Sequence, residues 1–188
     1  MQAGIKKVRK SVAISKGNES VKDAIKFYVN KKDNGDPESM FIPSTPNSQP
    51  GDDYWLGDGF VNPSMADATY SFGYRVKDTS TASFGFKEVG NTLIKIPKGS
   101  KPPFNDQQQM DTPYFIAGSS DTYGSFGACI FANTKEAYSP VADGYIYVNG
   151  LRGTAKNVHV ARVLPEEVEN FYQGRCGVGK TRKPDINL

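Results

Sequence analysis

Residues 69–76 read Thr-Tyr-Ser-Phe-Gly-Tyr-Arg-Val, and this stretch decides the fold class. Large side chains alternate with small or polar ones along it, at Tyr70, Phe72, Tyr74 and Val76. Alternation with a period of two is typical of a β-strand with one packed face. The stretch therefore predicts a strand that begins at about residue 69 and packs against a core.

The tripeptide Ser-Phe-Gly occurs three times, beginning at Ser71, Ser83 and Ser125. A glycine within a strand permits a β-bulge or the close approach of another segment. Because the three copies are unequally spaced, they indicate local β chemistry and not a repeat architecture.

More strands are predicted after residue 76, and they define the fold class. They lie at residues 92–96, 114–117, 128–132, 145–148 and 157–164. The dipeptide Asn149-Gly150 predicts a turn directly after one of them. We therefore predict a mainly β protein with an antiparallel β-sandwich or barrel-like domain over residues 68–164.

Two short helices are predicted outside this domain. Residues 20–23 have a capping-box pattern, which predicts a helix over residues 21–30. The alternation of apolar residues between Ile25 and Val29 leaves a strand as the alternative. A second helix is predicted over residues 165–173, because Pro165 suits the first helical position.

Charge is sorted along the chain, although the net charge is only +3. Residues 1–32 hold nine basic and two acidic side chains, whereas residues 33–67 hold seven acidic side chains and no basic one. Sorting of this kind is typical of interaction segments. The sequence therefore predicts four parts: a basic N-terminal arm with a short helix at 1–32, an acidic Pro-rich irregular segment at 33–67, the β domain at 68–164, and a short helix with a basic Gly-rich tail at 165–188.

Two groups of residues are predicted to contact partners. The basic arm is predicted to contact a polyanion or a protein interface through Lys6, Lys7, Arg9 and Lys10. The acidic segment is predicted to anchor an interface through Tyr54, Trp55, Leu56 and Phe60. Arm and acidic segment are complementary in charge, so the arm of one copy can bind the acidic segment of another. Heterologous contacts of this kind build rings and shells.

Residues 174–181 match the phosphate-binding pattern G-x-x-x-x-G-K-[ST]. Phosphate binding by this pattern requires a strand before the loop and a helix after it. Here a predicted helix precedes Gly174, and Pro184 interrupts the residues that follow Thr181. We therefore predict that this stretch binds no nucleotide and belongs to the basic tail.

No other motif predicts catalysis or a cofactor. His159 is the only histidine, and no nucleophile or orienting group is evident near it, so a structural role is expected. Cys129 lies in an apolar run and is predicted to be a core residue. The acids Asp52, Asp53 and Asp58 lack the spacing of a calcium loop. We therefore expect no catalytic residue, no metal site and no cofactor.

These expectations favour a non-enzymatic structural subunit of a large symmetric assembly. The predicted assembly is a virus or phage particle, with this chain as a capsid, cement, spike or tail component located in the virion and assembled in the host cytoplasm. The predicted partners are other copies of the chain and other subunits, with nucleic acid as a further candidate for the arm. No membrane partner is expected, because the longest apolar runs are only a few residues. The alternatives are a nucleic-acid-binding protein with a β-barrel core, which would be cytoplasmic, and a β-sandwich carbohydrate-binding module or enzyme.

Overall fold

A computed structural model describes residues 8, 10–15, 24–79, 85–119, 121–154 and 157–171. The protein is mainly β, as predicted, with antiparallel sheets and one half-barrel. Within the described ranges, no helix is long and apolar enough to cross a membrane. The chain divides into two compact units: Met1–Ile42 with Gly99–Asp106, and Pro43–Lys98 with Gln107–Leu188.

The smaller unit contains two short antiparallel strand pairs. These are β1 (Val12–Ser15) with β2 (Ile25–Tyr28), and β3 (Asn30–Lys31) with β4 (Pro37–Glu38). The helix predicted over residues 21–30 is therefore wrong across β2, and the strand alternative is correct there. Residues 21–23 lie outside the described residues. Pairing with β1 uses the alternating side chains of β2, so tertiary contacts override the local helix pattern.

The larger unit contains two four-stranded antiparallel sheets. The first has the strand order β5-β6-β7-β8, and the second has the order β9-β10-β11-β12. Their bounds are β5 (Asp52–Asn62), β6 (Ala68–Asp78), β7 (Phe86–Ile96), β8 (Gln108–Asp111), β9 (Phe115–Ile116), β10 (Gly124–Asn133), β11 (Tyr145–Arg152) and β12 (Asn157–Val163). All five strands predicted after residue 76 coincide at least in part with β7, β9, β10, β11 or β12.

Both sheets contribute side chains to one hydrophobic core. Tyr70 and Phe72 of the stretch quoted first are buried there, and Tyr114 makes ring contacts with Phe72 and Phe126. The buried members are Ala68, Tyr70, Phe72, Leu93, Tyr114, Phe126, Ile146, Val148, Ala161, Val163, Val168 and Phe171. The alternation from residue 69 therefore correctly predicts a strand that packs against a core. The opposite side of β6 is covered as well, because Gly73 and Arg75 are also buried.

The irregular segment predicted over residues 33–67 contains an eleven-residue strand, β5. A register shift between Leu56 and Gly59 interrupts its pairing with β6, so the sequence shows no continuous alternation. Gly57 lies close to β10, where a β-carbon at residue 57 would come within 2.5 Å of the Gly127 carbonyl oxygen. The prediction of irregular structure is wrong for β5, while the four-part division of the chain stays a prediction.

The turn predicted at Asn149-Gly150 is also wrong, because both residues lie within β11. Gly150 pairs with Phe126 on one side and with His159 on the other. A β-carbon at Gly150 would come within 2.6 Å of the Ser125 carbonyl oxygen and 2.7 Å of Phe126 Cγ. The glycine therefore permits close strand packing and does not form a turn.

After β12, the predicted helix over residues 165–173 is represented by a three-residue 3-10 helix, Pro165–Glu167. Proline occupies its first turn, as expected, but residues 168–170 are not helical, so the longer helix is interrupted there. Residues 172 and 173 lie outside the described residues, as does the phosphate-loop pattern at 174–181.

Candidate functional site: an exposed sheet face and a carboxylate cleft

The outward side of the second sheet carries several exposed apolar side chains. In β12, Val158 and Val160 are 67% and 46% exposed, because alternation turns Ala161 and Val163 into the core. We call this surface the outer face, and it comprises Cys129, Phe131, Tyr147, Leu151, Val158 and Val160.

Strand register places the outer face on three strands. Leu151 of β11 is paired with Val158 of β12, and Tyr147 is paired with Phe131 of β10. The Phe131 and Tyr147 rings stack with a centroid distance of 6.3 Å. Residues paired across antiparallel strands lie on the same side of a sheet, so these side chains share one surface with two polar residues. These are Asn149, which is paired with Cys129 and Val160, and Arg162, which is paired with Tyr147.

Strand β12 is also an edge of the second sheet. Within the described part of the chain it pairs as a strand only with β11. The charged residue of β12 is Arg162, whose guanidinium carbon lies 4.4 Å from the centroid of the Tyr145 ring. The edge therefore lacks the lysine, proline or inward-pointing charge with which proteins block edge pairing.

The four predicted interface anchors have different environments. Tyr54 is fully buried, and Phe60 is half-buried and stacked on Tyr70 with a centroid distance of 5.4 Å. The prediction is corrected for these two, because they pack within the chain's own core. Trp55 and Leu56 are exposed, and their role as interface anchors stays a prediction.

Of the predicted basic contact residues, only Lys10 is described. It is half-buried, and its carbonyl oxygen accepts a hydrogen bond of 3.2 Å from the Met40 N–H. Lys6, Lys7 and Arg9 lie outside the described residues.

A cleft with a volume of about 480 Å³ opens where β5, β6 and β7 meet the segment around β9. Its charged wall residues are Glu88 and Lys87, both from β7. Aromatic residues form much of the remaining wall, namely Trp55, Tyr74, Phe86, Phe115 and Tyr123. We call this site the Glu88 cleft.

Glu88 is held by two hydroxyl groups. Tyr123 donates a hydrogen bond to Oε2, and Ser125 donates one of 2.5 Å to Oε1. Burial raises the pKa of Glu88, an effect that these two hydrogen bonds only partly offset. No lysine or arginine in the described ranges lies within salt-bridge distance of this carboxylate.

The tyrosines beside Glu88 respond to its charge. Burial, followed by the charges of Glu88 and Asp58, raises the pKa of Tyr74 to about 12. Burial and the hydrogen bond to Glu88 also raise the pKa of Tyr123. Both phenols therefore stay protonated at neutral pH and can only donate or accept hydrogen bonds there.

A second polar cluster surrounds Arg75, whose side chain is 5% exposed. Its Nη1 donates hydrogen bonds of 2.8 Å to Asp111 Oδ1 and to Thr45 Oγ1. Its Nε lies 3.4 Å from Asp52 Oδ2, while Asp52 Oδ1 is buried without a hydrogen-bond partner. Because Arg75 crosses from β6 to β8 and to the segment before β5, the cluster ties that segment to the sheet.

The two remaining predicted residues lie on β10 and β12. His159 is half-buried on the same side of β12 as Ala161, and its structural role stays a prediction. Cys129 is exposed, so its prediction as a core residue is wrong. The register shift between Phe126 and Cys129 turns it outward. Among the described residues, no group of three or more His, Cys, Asp or Glu side chains could hold a metal ion.

No local sequence pattern predicts the Glu88 cleft. Its wall comes from separate places on β5, β6 and β7 and from the segment between residues 115 and 123. The local signal was Phe86-Lys87-Glu88, where an acid stands between aromatic and apolar residues at the start of a strand. That pattern alone does not distinguish a cleft from an ordinary strand end.

Comparison of the chain with protein-family models, with curated proteins and with solved structures finds no match.

Proposed function

We propose that this protein is a non-enzymatic structural subunit of a large symmetric assembly, a virus or phage particle, in which it contacts copies of itself and other subunits. The observation that carries the proposal is the outer face, a largely apolar surface on the exposed side of a sheet whose last strand among the described residues is β12. Patches of this kind mark surfaces that are buried in a complex.

The composition of the outer face supports burial against protein. Val158, Leu151 and Phe131 are exposed, although nonpolar side chains of this size gain free energy when they leave water. The adjacent edge of β12 can add backbone hydrogen bonds to a partner strand, as in β-augmentation. Apolar contact and edge pairing therefore favour the same partner surface.

The distribution of charge supports an assembly with repeated heterologous contacts. The basic arm at 1–32 and the acidic segment at 33–67 can pair between neighbouring copies, which is the contact type that closes rings and shells. The virus or phage setting rests on the association of β-rich domains and basic arms with particle subunits, which is an analogy at the level of protein class.

Charge introduced on the outer face tests the proposal. We expect Val158→Lys to shift the full-length protein towards the monomer, because a lysine cannot be desolvated in an apolar contact at low free-energy cost. Val141→Lys is the matched control, since Val141 is a strongly exposed valine outside the sheets. Sedimentation velocity of both variants and the wild type measures the assembly state. A wild type that stays monomeric over the whole concentration range, or equal effects of both substitutions, would refute the proposal.

A further inference from the structure

An ionised Glu88 carboxylate has no counter-charge among the described residues. Its two hydrogen-bond donors, Tyr123 and Ser125, are neutral, and no lysine or arginine in the described ranges forms an ion pair with it. Two donors leave part of the acceptor capacity of a carboxylate free. A partly buried anion without a counter-charge is unfavourable, so a bound cation would stabilise the site.

The walls of the Glu88 cleft restrict which cation fits. Trp55 and Phe86 form a close aromatic pair with a centroid distance of 4.1 Å, and Phe115 and Tyr123 form a second pair at 5.9 Å. Besides Glu88, the side-chain oxygens of the wall are the neutral phenols of Tyr74 and Tyr123, which are too few for Ca²⁺, since it requires six to eight oxygen ligands. Aromatic rings instead attract diffuse organic cations, whose methyl groups also gain from leaving water.

We propose that the Glu88 cleft binds an N-methylated ammonium group, with the Glu88 carboxylate as counter-charge and the rings of Trp55, Phe86 and Tyr74 as cation–π partners. This inference is independent of the assembly proposed above. A cleft of about 480 Å³ is larger than a tetramethylammonium ion, so it also accepts a substituent on the ammonium nitrogen.

Lys87 also lines the cleft and carries the same charge as the ligand. Its side chain is exposed, so water and salt screen much of its repulsion. The proposal therefore predicts opposite effects on ligand binding at the neighbouring residues Glu88 and Lys87. Loss of the charge at position 88 weakens binding, whereas loss of the charge at position 87 strengthens it.

The only tryptophan of the chain, Trp55, stands in the cleft wall, so its fluorescence reports occupancy directly. We propose titrations of the full-length protein with tetramethylammonium and with choline, with calorimetry as a second readout. The comparison ligand is 3,3-dimethylbutan-1-ol, the uncharged isostere of choline. We expect both ammonium compounds to bind and the isostere to bind at least about tenfold more weakly. Tighter binding of choline than of tetramethylammonium indicates a ligand that uses the substituent space.

Variants separate the roles of the two charged residues. Glu88→Gln is expected to weaken choline binding about tenfold or more, and Lys87→Met is expected to tighten it slightly. Glu136→Gln is the matched control for the loss of one carboxylate, because Glu136 is exposed between β10 and β11 and outside the cleft. Near-ultraviolet circular dichroism verifies that each variant is folded.

Three results with choline and its isostere would overturn the proposal. They are the absence of choline binding by the wild type, equal affinity for choline and its uncharged isostere, and unchanged affinity in folded Glu88→Gln. If Glu88→Gln fails to fold, the affinities of the wild type for choline and for the isostere still show whether the cleft requires a positive charge on its ligand. Tighter binding of a neutral saccharide than of choline would also overturn it, in favour of a carbohydrate site.

Discussion

Gly127 lies so close to Phe72 that a β-carbon at residue 127 would come within 2.5 Å of Phe72 Cγ. The two residues belong to the first and third copies of Ser-Phe-Gly, on strands β6 and β10 of different sheets. Phe72 is buried in the shared core, and Gly127 has a φ angle of +104°. The glycine of one copy therefore provides the space that the phenylalanine of the other occupies.

We expect Gly127→Ala to lower the free energy of unfolding by about 2–4 kcal/mol. Overpacking against Phe72 and the positive φ angle both contribute to this loss. Gly144→Ala is the matched control, because Gly144 also has a positive φ angle of +87°, but a β-carbon added there would meet no atom within 4 Å. Urea denaturation of both variants, followed by far-ultraviolet circular dichroism, gives the two values. Equal losses would show that backbone strain alone is responsible.

The sequence predicts the strands of this fold wherever alternation is uninterrupted. The large side chains of β6 follow a period of two, and pairing on both sides makes them core residues. A register shift interrupts the same alternation in β5. Another register shift, in β10, turns Cys129 outward, although the sequence predicts it to be a core residue. The dipeptide Asn149-Gly150 has the local pattern of a turn. The structure shows that residue 150 is a glycine within a strand because the Phe126 ring leaves no room for a β-carbon.

We expect Arg75→Ala to lower the free energy of unfolding by about 3–5 kcal/mol, because it removes a buried cation that contacts the carboxylates of both Asp52 and Asp111. Arg162→Ala is the control. It removes a half-buried arginine that contacts the ring of Tyr145, and we expect a loss of about 0.5–1 kcal/mol. Chemical denaturation measures both losses. The assignment fails if Arg75→Ala is no more destabilising than Arg162→Ala.

The Glu88 cleft depends on tertiary structure that local patterns do not contain. Trp55 and Phe86 are 31 positions apart and pair only because β5, β6 and β7 are neighbours in one sheet. The sequence predicts Trp55 as an interface anchor, and only the fold shows its contact with Phe86. The sequence does not single out Glu88, because an acid at the start of a strand is ordinarily solvated.

The raised pKa of Glu88 predicts a specific dependence of stability on pH. The folded protein holds this proton more tightly than the unfolded chain, whose reference pKa is 4.5. The contribution of Glu88 is therefore full below pH 4.5 and is lost as pH rises through the folded-state value. We expect the free energy of unfolding of the wild type, relative to Glu88→Gln, to fall as pH rises from below 4.5 towards neutrality and then to level off. Urea titrations at a series of pH values test this, and a difference that rises with pH contradicts it.

The basic arm and the outer face are expected to stabilise the assembly in ways that salt distinguishes. Strand β1 pairs with β2, so substitution tests the arm better than truncation does. We expect neutralisation of Lys6, Lys7 and Arg9 to glutamine to weaken assembly at about 0.1 M salt and to have little effect at about 1 M, where the Debye length has fallen from about 10 Å to about 3 Å. Val158→Lys is expected to weaken assembly at both concentrations, because apolar burial is not screened.

Neutralisation of the exposed Lys31, Lys101 and Lys135 is the control with the same loss of charge. Sedimentation velocity measures the assembly state of each variant at both salt concentrations. Equal effects of the two neutralised variants would refute a specific role for the arm.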